Sequence, residues 1–372
     1  MIIYAPGQSP DLPSFKFYIG TPKECTLVFS EPEWAYYRID DGSHARQDGV
    51  TTVLHRAVDR SAPISAWSVK MAMARLKVLL TERGHIADPN QAVELPLLYE
   101  SILDGIIKEA KAEPKAELDR AGDIGSIAHD WLERVIKAIL DENTNRRMEL
   151  LAKFPENEKS ASCDIAAVDF MVRHKIKWIS TERKVYSLRY KVAGTLDGLC
   201  LASSCDDPLC CPTYYVDRLT LADWKSSNFL YATYFAQTAI YAEAYFEEMG
   251  QKVEQRFIIR LGKDDGEFET WHTETEEEFQ HDLSFFLNAL ALCRDMDILE
   301  ERISAVRDRR REAAAAVKAA ERAVKCLDAD GYKGKKLKKG CNGGDTMCQA
   351  CQQKFYEVQA AKAIAEQLAS NG

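Results

Sequence analysis

Apolar and polar positions change their rhythm several times along this chain. Over residues 1–60 short apolar runs alternate with polar breaks: FKFYIG, TLVF, WAYYRI, a Gly/Asp turn and VTTVLHRAV. That pattern predicts a small β-rich N-terminal element. From Pro63 the rhythm moves to steps of three and four. Ile64, Trp67, Met71, Ala74 and Val78 then share one stripe, which predicts a helix. Further helices are predicted over about 91–111, from an Asp123 N-cap to about Leu140, and over 162–178, opened by Ser162 or Asp164.

Strand patterns then dominate, in RKVYSLRYKVAG, TLDGLCLA and YYVDRLTLADW, and a helix follows from about Tyr231 to Met249. Two more strands, VEQRFIIRL and GEFETWHT, flank the turn-like stretch from Gly262 to Gly266, and a helix from about Glu274 to Cys293 closes the unit. This order spells a mixed α/β core. After residue 296 the chain becomes rich in Ala, Arg and Glu. Ile303, Val306, Ala313, Val317, Ala320, Val324 and Leu327 form one narrow apolar seam, and Phe355, Val358, Ala361, Ala365 and Leu368 form another. Two such seams joined by a loop predict a helical hairpin with coiled-coil character. The expected organisation is a β-rich element over 1–60, an α/β core over 61–295 with a Cys-rich insert at 200–213, and a hairpin over 296–372.

Composition narrows the classes. At 372 residues and 46% hydrophobic content, one large core with an appendage is the natural expectation. A net charge of −9 excludes a uniformly basic nucleic-acid coat, yet leaves room for a local patch, and Lys333, Lys335, Lys336, Lys338 and Lys339 form one. The opening MIIYAPGQSPDLP lacks the basic start and apolar middle of a secretory signal. No apolar run reaches the ~18 residues of a membrane span. Eleven cysteines without an export signal point to reduced thiols or metal ligands rather than disulfides, and to a cytoplasmic protein with no membrane partner.

Four fragments carry candidate chemistry. Asp223 and Lys225, two apart on a predicted strand, share a face, and Trp224 takes the other. Asp197 follows a Gly-Thr-Leu lead-in on the preceding strand. His129 and Glu133, and likewise Gln237 and Tyr241, stand one helical turn apart. A histidine and two acids suit a hard divalent ion, with Asp197 and Asp223 as anionic ligands of Mg²⁺ and His129 shifting the preference toward Mn²⁺. Lys225, its pKa lowered by partial burial, is expected to hold or activate a water; Gln237 to orient Lys225 or a DNA backbone; Tyr241 to contact a phosphate. Singly, each fragment has a bland reading: Asp-x-Lys is usually a solvated strand face, and a helix histidine is usually structural. The order of the four, not any one of them, carries the expectation.

Those motifs, GSIAH (125–129), AGTLDG (193–198), ADWK (222–225) and QTAIY (237–241), resemble those of the PD-(D/E)XK nuclease superfamily, in the RecB-like branch that includes AddB and the CRISPR-associated RecB-like exonucleases. The segment GVTTVLHRAVDRSAPISAWSVKMA (49–72) is similar to the opening of phage-encoded RecB-like exonucleases, and the likeness covers roughly residues 30–290. The resemblance implies a restriction-endonuclease-like core, a central mixed sheet flanked by helices. It also implies two-metal DNA cleavage leaving a 5′-phosphate, with His129, Asp197, Asp223 and Lys225 in the family's roles, and an acid at the position of Glu182. The long stretch between Asp197 and Asp223, lengthened by CLASSCDDPLCCP, departs from the pattern and puts the substrate approach in doubt.

The cysteines form two clusters. Cys326, Cys341, Cys348 and Cys351 lie where the C-terminal helices turn, beside the lysine patch. Zinc there would fix the turn and present the lysines to phosphates; free cysteines in a loop are the alternative. Some RecB-like nucleases tie an N-terminal cysteine to three C-terminal ones in a [4Fe-4S] cluster, and Cys25 with Cys341, Cys348 and Cys351 would copy that arrangement. In the other cluster, Cys200, Cys205, Cys210 and Cys211, the adjacent pair makes a clean tetrahedron awkward. The expected function is a metal-dependent DNA nuclease, an exonuclease of phage or bacterial recombination or repair. Its expected partners are DNA, a recombination or replication protein, or a second copy held through the C-terminal helices. The alternative is a nuclease-fold subunit that binds DNA or recruits a partner without essential cleavage.

Overall fold

Among the described residues nine strands form one mixed sheet: β1 (Ser14–Ile19), β2 (Lys23–Ser30), β3 (Ala35–Arg38), β4 (Arg46–Gly49), β5 (Lys177–Ser187), β6 (Val192–Ala202), β7 (Arg218–Lys225), β8 (Gln255–Leu261) and β9 (Phe268–Thr273). Among the described residues seven helices accompany them: α1 (Val50–Ala57), α2 (Ser61–Glu82), α3 (Glu100–Leu140), α4 (Thr144–Ala152), α5 (Glu158–Arg173), α6 (Ala232–Met249) and α7 (Glu276–Ala323). The computed structural model describes residues 14–19, 23–30, 33, 35–38, 45–58, 61–86, 99–207, 210–211, 213–323 and six scattered positions between 353 and 363. By contacts the chain divides into Met1–Leu290 and Ala291–Gly372. Among the described residues no helix is long and apolar enough to cross a membrane.

The centre of the sheet is β6. Along one edge it pairs antiparallel with β5, from Ser187↔Val192 to Lys177↔Leu201. The other edge is shared: β4 runs parallel to its first residues (Asp48↔Val192, Gly49↔Ala193), and β7 runs antiparallel to its last ones, from Gly198↔Ala222 to Ala202↔Arg218. The first four strands therefore join the main sheet through β4. Beyond β7, β8 is parallel through the α6 crossover, and β9 is antiparallel. On one face, Trp131, Leu132, Val135 and Ile136 of α3 and Ala166, Ala167 and Phe170 of α5 pack on Trp224, Phe257 and Ile259.

Several elements differ from the sequence pattern. VTTVLHRA is a helix, because Val50, Val53 and Leu54 go inward at helical spacing; the β-branched residues there had suggested a strand. Asp123 caps nothing, since α3 runs unbroken from a Tyr99 N-cap through Pro114. Its charged middle, where Arg120 pairs with Glu113 and Glu117, is solvated. Its two ends bury in different cores, Ile106 and Ala110 against Leu79 of α2 and the stretch from Ala128 onward in the main core. The buried side of α2 is Leu76, Leu79 and Leu80, while Ile64 and Val78 of the expected stripe stand exposed. α5 begins at an Asn157 cap, whose side chain accepts from the backbone of Lys159 and Ser160. Where a break is expected near residue 296, α7 continues, with no Gly or Pro in the stretch to end it.

One buried carboxyl stands out in this core. Asp164 of α5 is fully buried, and neither of its carboxylate oxygens accepts a hydrogen bond. Burial pushes its carboxyl up to about 8, with only Arg134 opposing. A carboxyl whose pKa is raised on folding destabilises the fold once pH exceeds the unfolded value near 3.8, and increasingly so until about 8. Asp164→Asn should therefore raise the melting temperature by on the order of 5 °C at pH 8, with the gain shrinking toward pH 4. Calorimetry across that range checks it, and a pH-independent shift would contradict this account.

Candidate active site

Asp223 is fully buried near the end of β7, and Lys225 follows two residues on. Trp224 between them points to the α5 face, its ring 5.7 Å from that of Phe170. Asp223 and Lys225 take the opposite face, as strand alternation requires. The Lys225 Nζ lies 2.7 Å from Asp223 Oδ2 and 4.8 Å from the centre of the Tyr234 ring. From α6, Gln237 Nε2 donates to Asp223 Oδ1 at 3.3 Å and to the Tyr241 hydroxyl at 3.4 Å. Tyr241 is itself only 2% exposed, so it props Gln237 from below and does not reach a solvent-borne phosphate.

Burial pushes the Asp223 carboxyl up to about 7; Lys225 opposes this and Asp197 adds to it. For Lys225 burial works to lower the pKa, but Asp223 and Asp197 outweigh it and the net shift is upward. This runs opposite to the sequence expectation of a lowered lysine: the two neighbouring carboxylates favour its charged form.

Asp197 joins this pair to a second group. The β6–β7 ladder stops at Gly198↔Ala222, and one step beyond it Asp197 Oδ2 accepts the Trp224 backbone N–H at 2.9 Å. The side chain thus takes over a donor that the ladder leaves behind. On its other side, Asp197 meets His129 of α3 and Glu182 of β5, one ligand atom from each lying within 4.8 Å of the others. Glu182 has φ 48°, a left-handed conformation that costs a non-glycine residue about 1 kcal/mol or more. Burial, reinforced by Asp197, pushes its carboxyl up to about 7. Nearby, Lys184 donates to the Thr195 hydroxyl at 2.8 Å, and the Tyr36 hydroxyl lies 2.9 Å from the same oxygen.

Of the residues singled out from sequence, His129 and Asp197 thus come together with Glu182, the acid expected only from resemblance. Asp223 stands outside that trio and forms a network with Lys225, Gln237 and Tyr241, linked to it through the Trp224 N–H. The Lys333, Lys335, Lys336, Lys338 and Lys339 patch, the Cys326, Cys341, Cys348 and Cys351 cluster and the side chain of Cys25 lie outside the described residues. Cys200, expected with Cys205, Cys210 and Cys211, sinks into the core instead, and His174 stands beside the other three, with ligand atoms within 4.8 Å of one another. Nothing in the spacing marks His174. It is the residue that ends α5, and only the folded sheet brings it to the insert.

Two motif glycines are explained by close approach. A Cβ on Gly125 would stand 2.6 Å from Ser226 Oγ, and one on Gly194 would stand 2.4 Å from Tyr241 Cε1. Comparison with known protein families and with curated proteins finds no match to this chain.

Gly194→Ala must push Tyr241, and with it Gln237, away from the sheet. A stability loss of about 1–3 kcal/mol is expected in denaturant unfolding, partly recovered when Tyr241→Leu is added. Unchanged stability in the single variant would show that the contact is loose.

Proposed function

We propose that this chain is a metal-dependent deoxyribonuclease with a RecB-like PD-(D/E)XK core, acting in DNA recombination or repair. One observation carries the reading: groups from α3, β5, β6 and β7 meet, with His129, Glu182 and Asp197 on one side of the Trp224 N–H and Asp223 with Lys225 on the other. Two carboxylates and an imidazole, all half-buried, form a donor set suited to Mg²⁺ or Mn²⁺, with the imidazole favouring Mn²⁺. A divalent ion held there supplies a more acidic bound water and neutralises charge on phosphoryl oxygens.

The protein groups divide the remaining work. Glu182 and Asp197 concentrate negative charge at one point, which draws in a cation. Asp223 fixes Lys225, and Gln237 fixes Asp223, so the ammonium sits at a set place beside the acids. Held charged, Lys225 stabilises negative charge developing on a phosphate and orients a water as a hydrogen-bond donor. Exonucleolytic action and an origin in phage or bacteria rest on the motif resemblance alone.

End-labelled DNA incubated with Mg²⁺ or Mn²⁺ tests the proposal. Asp197→Ala, Asp223→Asn and Lys225→Met should each lower the cleavage rate at least about 100-fold, and chelation should abolish it. Glu182→Gln should act mainly by raising the metal concentration needed for half-maximal rate, by about 10-fold. Equal DNA loss with wild type and variants would remove the enzyme reading. Tight DNA binding without cleavage by the wild type would favour the DNA-holding subunit instead.

A further inference from the structure

We propose that His174, Cys205, Cys210 and Cys211 bind one structural Zn²⁺ that pins the loop between β6 and β7 to the end of α5. The proposal rests on the donor geometry alone and holds whether or not the chain is a nuclease. Cys205 Sγ and Cys211 Sγ are 3.5 Å apart, Cys210 Sγ is 3.6 Å from His174 Nε2, and Cys211 Sγ is 3.9 Å from His174 Nδ1. A tetrahedral zinc with bonds of about 2.3 Å to sulfur and about 2.0 Å to nitrogen has ligand–ligand edges of roughly 3.5–3.8 Å. The Cys205–Cys211 edge already has that length, the two nitrogens of His174 face Cys210 and Cys211 respectively, and one ligand atom from each of the four lies within 4.8 Å of the others, so a small closure brings them onto one ion.

The chemistry selects the ion. Three sulfurs and an imidazole suit zinc and reject Mg²⁺ or Ca²⁺, which want oxygen. A polynuclear iron–sulfur core needs its ligands spread around several atoms, whereas these all lie within 4.8 Å. A disulfide would need Cys205 and Cys211 at about 2.05 Å, and would leave Cys210 and His174 converging on nothing.

The surroundings are those of a ligand set. Cys211 Sγ accepts the Cys205 N–H at 3.4 Å and has the Tyr215 hydroxyl at 3.6 Å, while Cys210 Sγ has the Thr270 hydroxyl at 3.1 Å. Such donors to sulfur, and the backbone hydrogen bond of the His174 ring with Ser203, are what outer partners of a metal provide. Burial lowers the His174 pKa to about 4, so the imidazole is neutral. Zinc binds thiolates, so its uptake displaces the thiol protons of the three cysteines to solvent. The resulting centre, Zn²⁺ with three thiolates, carries one net negative charge, and the guanidinium of Arg173 lies within electrostatic reach of Cys205.

The position explains why a tie is useful here. The backbone N–H groups of Cys210 and Cys211 both donate to Asp207 O, at 3.2 and 2.8 Å, which holds the two cysteines close to Asp207. Four strand steps, about 13 Å, separate the Ala202↔Arg218 end of the hairpin from Gly198↔Ala222, next to Asp197 and Asp223. Clamping the far end holds the register in which those acids face each other.

The full-length protein, purified from zinc-supplemented culture, tests this by metal analysis. Cys205→Ser combined with Cys210→Ser should lose one zinc equivalent per chain relative to wild type, while Cys200→Ala should lose none. Measuring by difference removes any contribution from the C-terminal cysteines. Because the double variant is at risk of misfolding, the wild type is also alkylated with iodoacetamide and mapped by mass spectrometry. Chelator should raise the alkylation rates of Cys205, Cys210 and Cys211 together, by at least about 10-fold. Equal zinc in wild type and a folded double variant, chelator-insensitive alkylation, a Cys205–Cys211 disulfide in the isolated protein, or iron with sulfide at these cysteines would each overturn the proposal.

Discussion

The hydrogen bond from the Trp224 N–H to Asp197 Oδ2 is the interaction on which the candidate site depends. It forms where the β6–β7 ladder ends, so two strands that diverge there are still held by a side chain. The same carboxylate lies within ligand distance of His129 and Glu182. Asp197 is thus both the last rung of the ladder and the first member of the cluster. If the strands stayed paired through Asp223, the Trp224 region would be satisfied by backbone alone, and Asp197 would have no reason to turn inward.

Around that bond, the protein gathers acids faster than it neutralises them. Asp223 is answered by Lys225, but Glu182 has only Lys184 and the more distant Lys137 to oppose Asp197 and Glu133. Buried carboxylates without full partners are unfavourable for folding, and Glu182 adds a left-handed backbone to that cost. Strain and uncompensated charge at one spot are ordinary in a site kept for binding a cation, and hard to rationalise in one kept for stability. Asp164, in contrast, is buried and unpaired without other acids around it, and the structure assigns it no chemistry.

Much of this was legible in the sequence, for identifiable reasons. Strand alternation put Asp223 and Lys225 together with Trp224 opposite, and helical spacing paired Gln237 with Tyr241; both are local rules, and both hold. What local rules missed depended on burial or on distant neighbours. The Lys225 pKa is raised chiefly by Asp223, with Asp197 of another strand adding to it against the effect of burial. The acid that joins His129 and Asp197 is Glu182 of β5, and Asp223 is not part of that trio. α1 looked like a strand because Val and Thr favour strands intrinsically, and only packing on the sheet reveals its inward face of Val50, Val53 and Leu54.

The insert between Asp197 and Asp223, a departure from the resembled pattern, acquires a physical role in the same light. A long hairpin between two strands that must present their acids in one register is prone to slip by a residue, which would turn Asp223 to the wrong face. Here the distal part of the hairpin is anchored independently of the site: Ser204 and Tyr215 bond across it, Tyr215 accepts from Gln255 of β8, and the cysteines cluster on His174 beyond. Anchoring at the tip and the Asp197–Trp224 bond at the base fix the hairpin at both ends. The acids are thus placed between two constraints, the Ser204–Tyr215–Gln255 bonds on one side and the Asp197–Trp224 bond on the other.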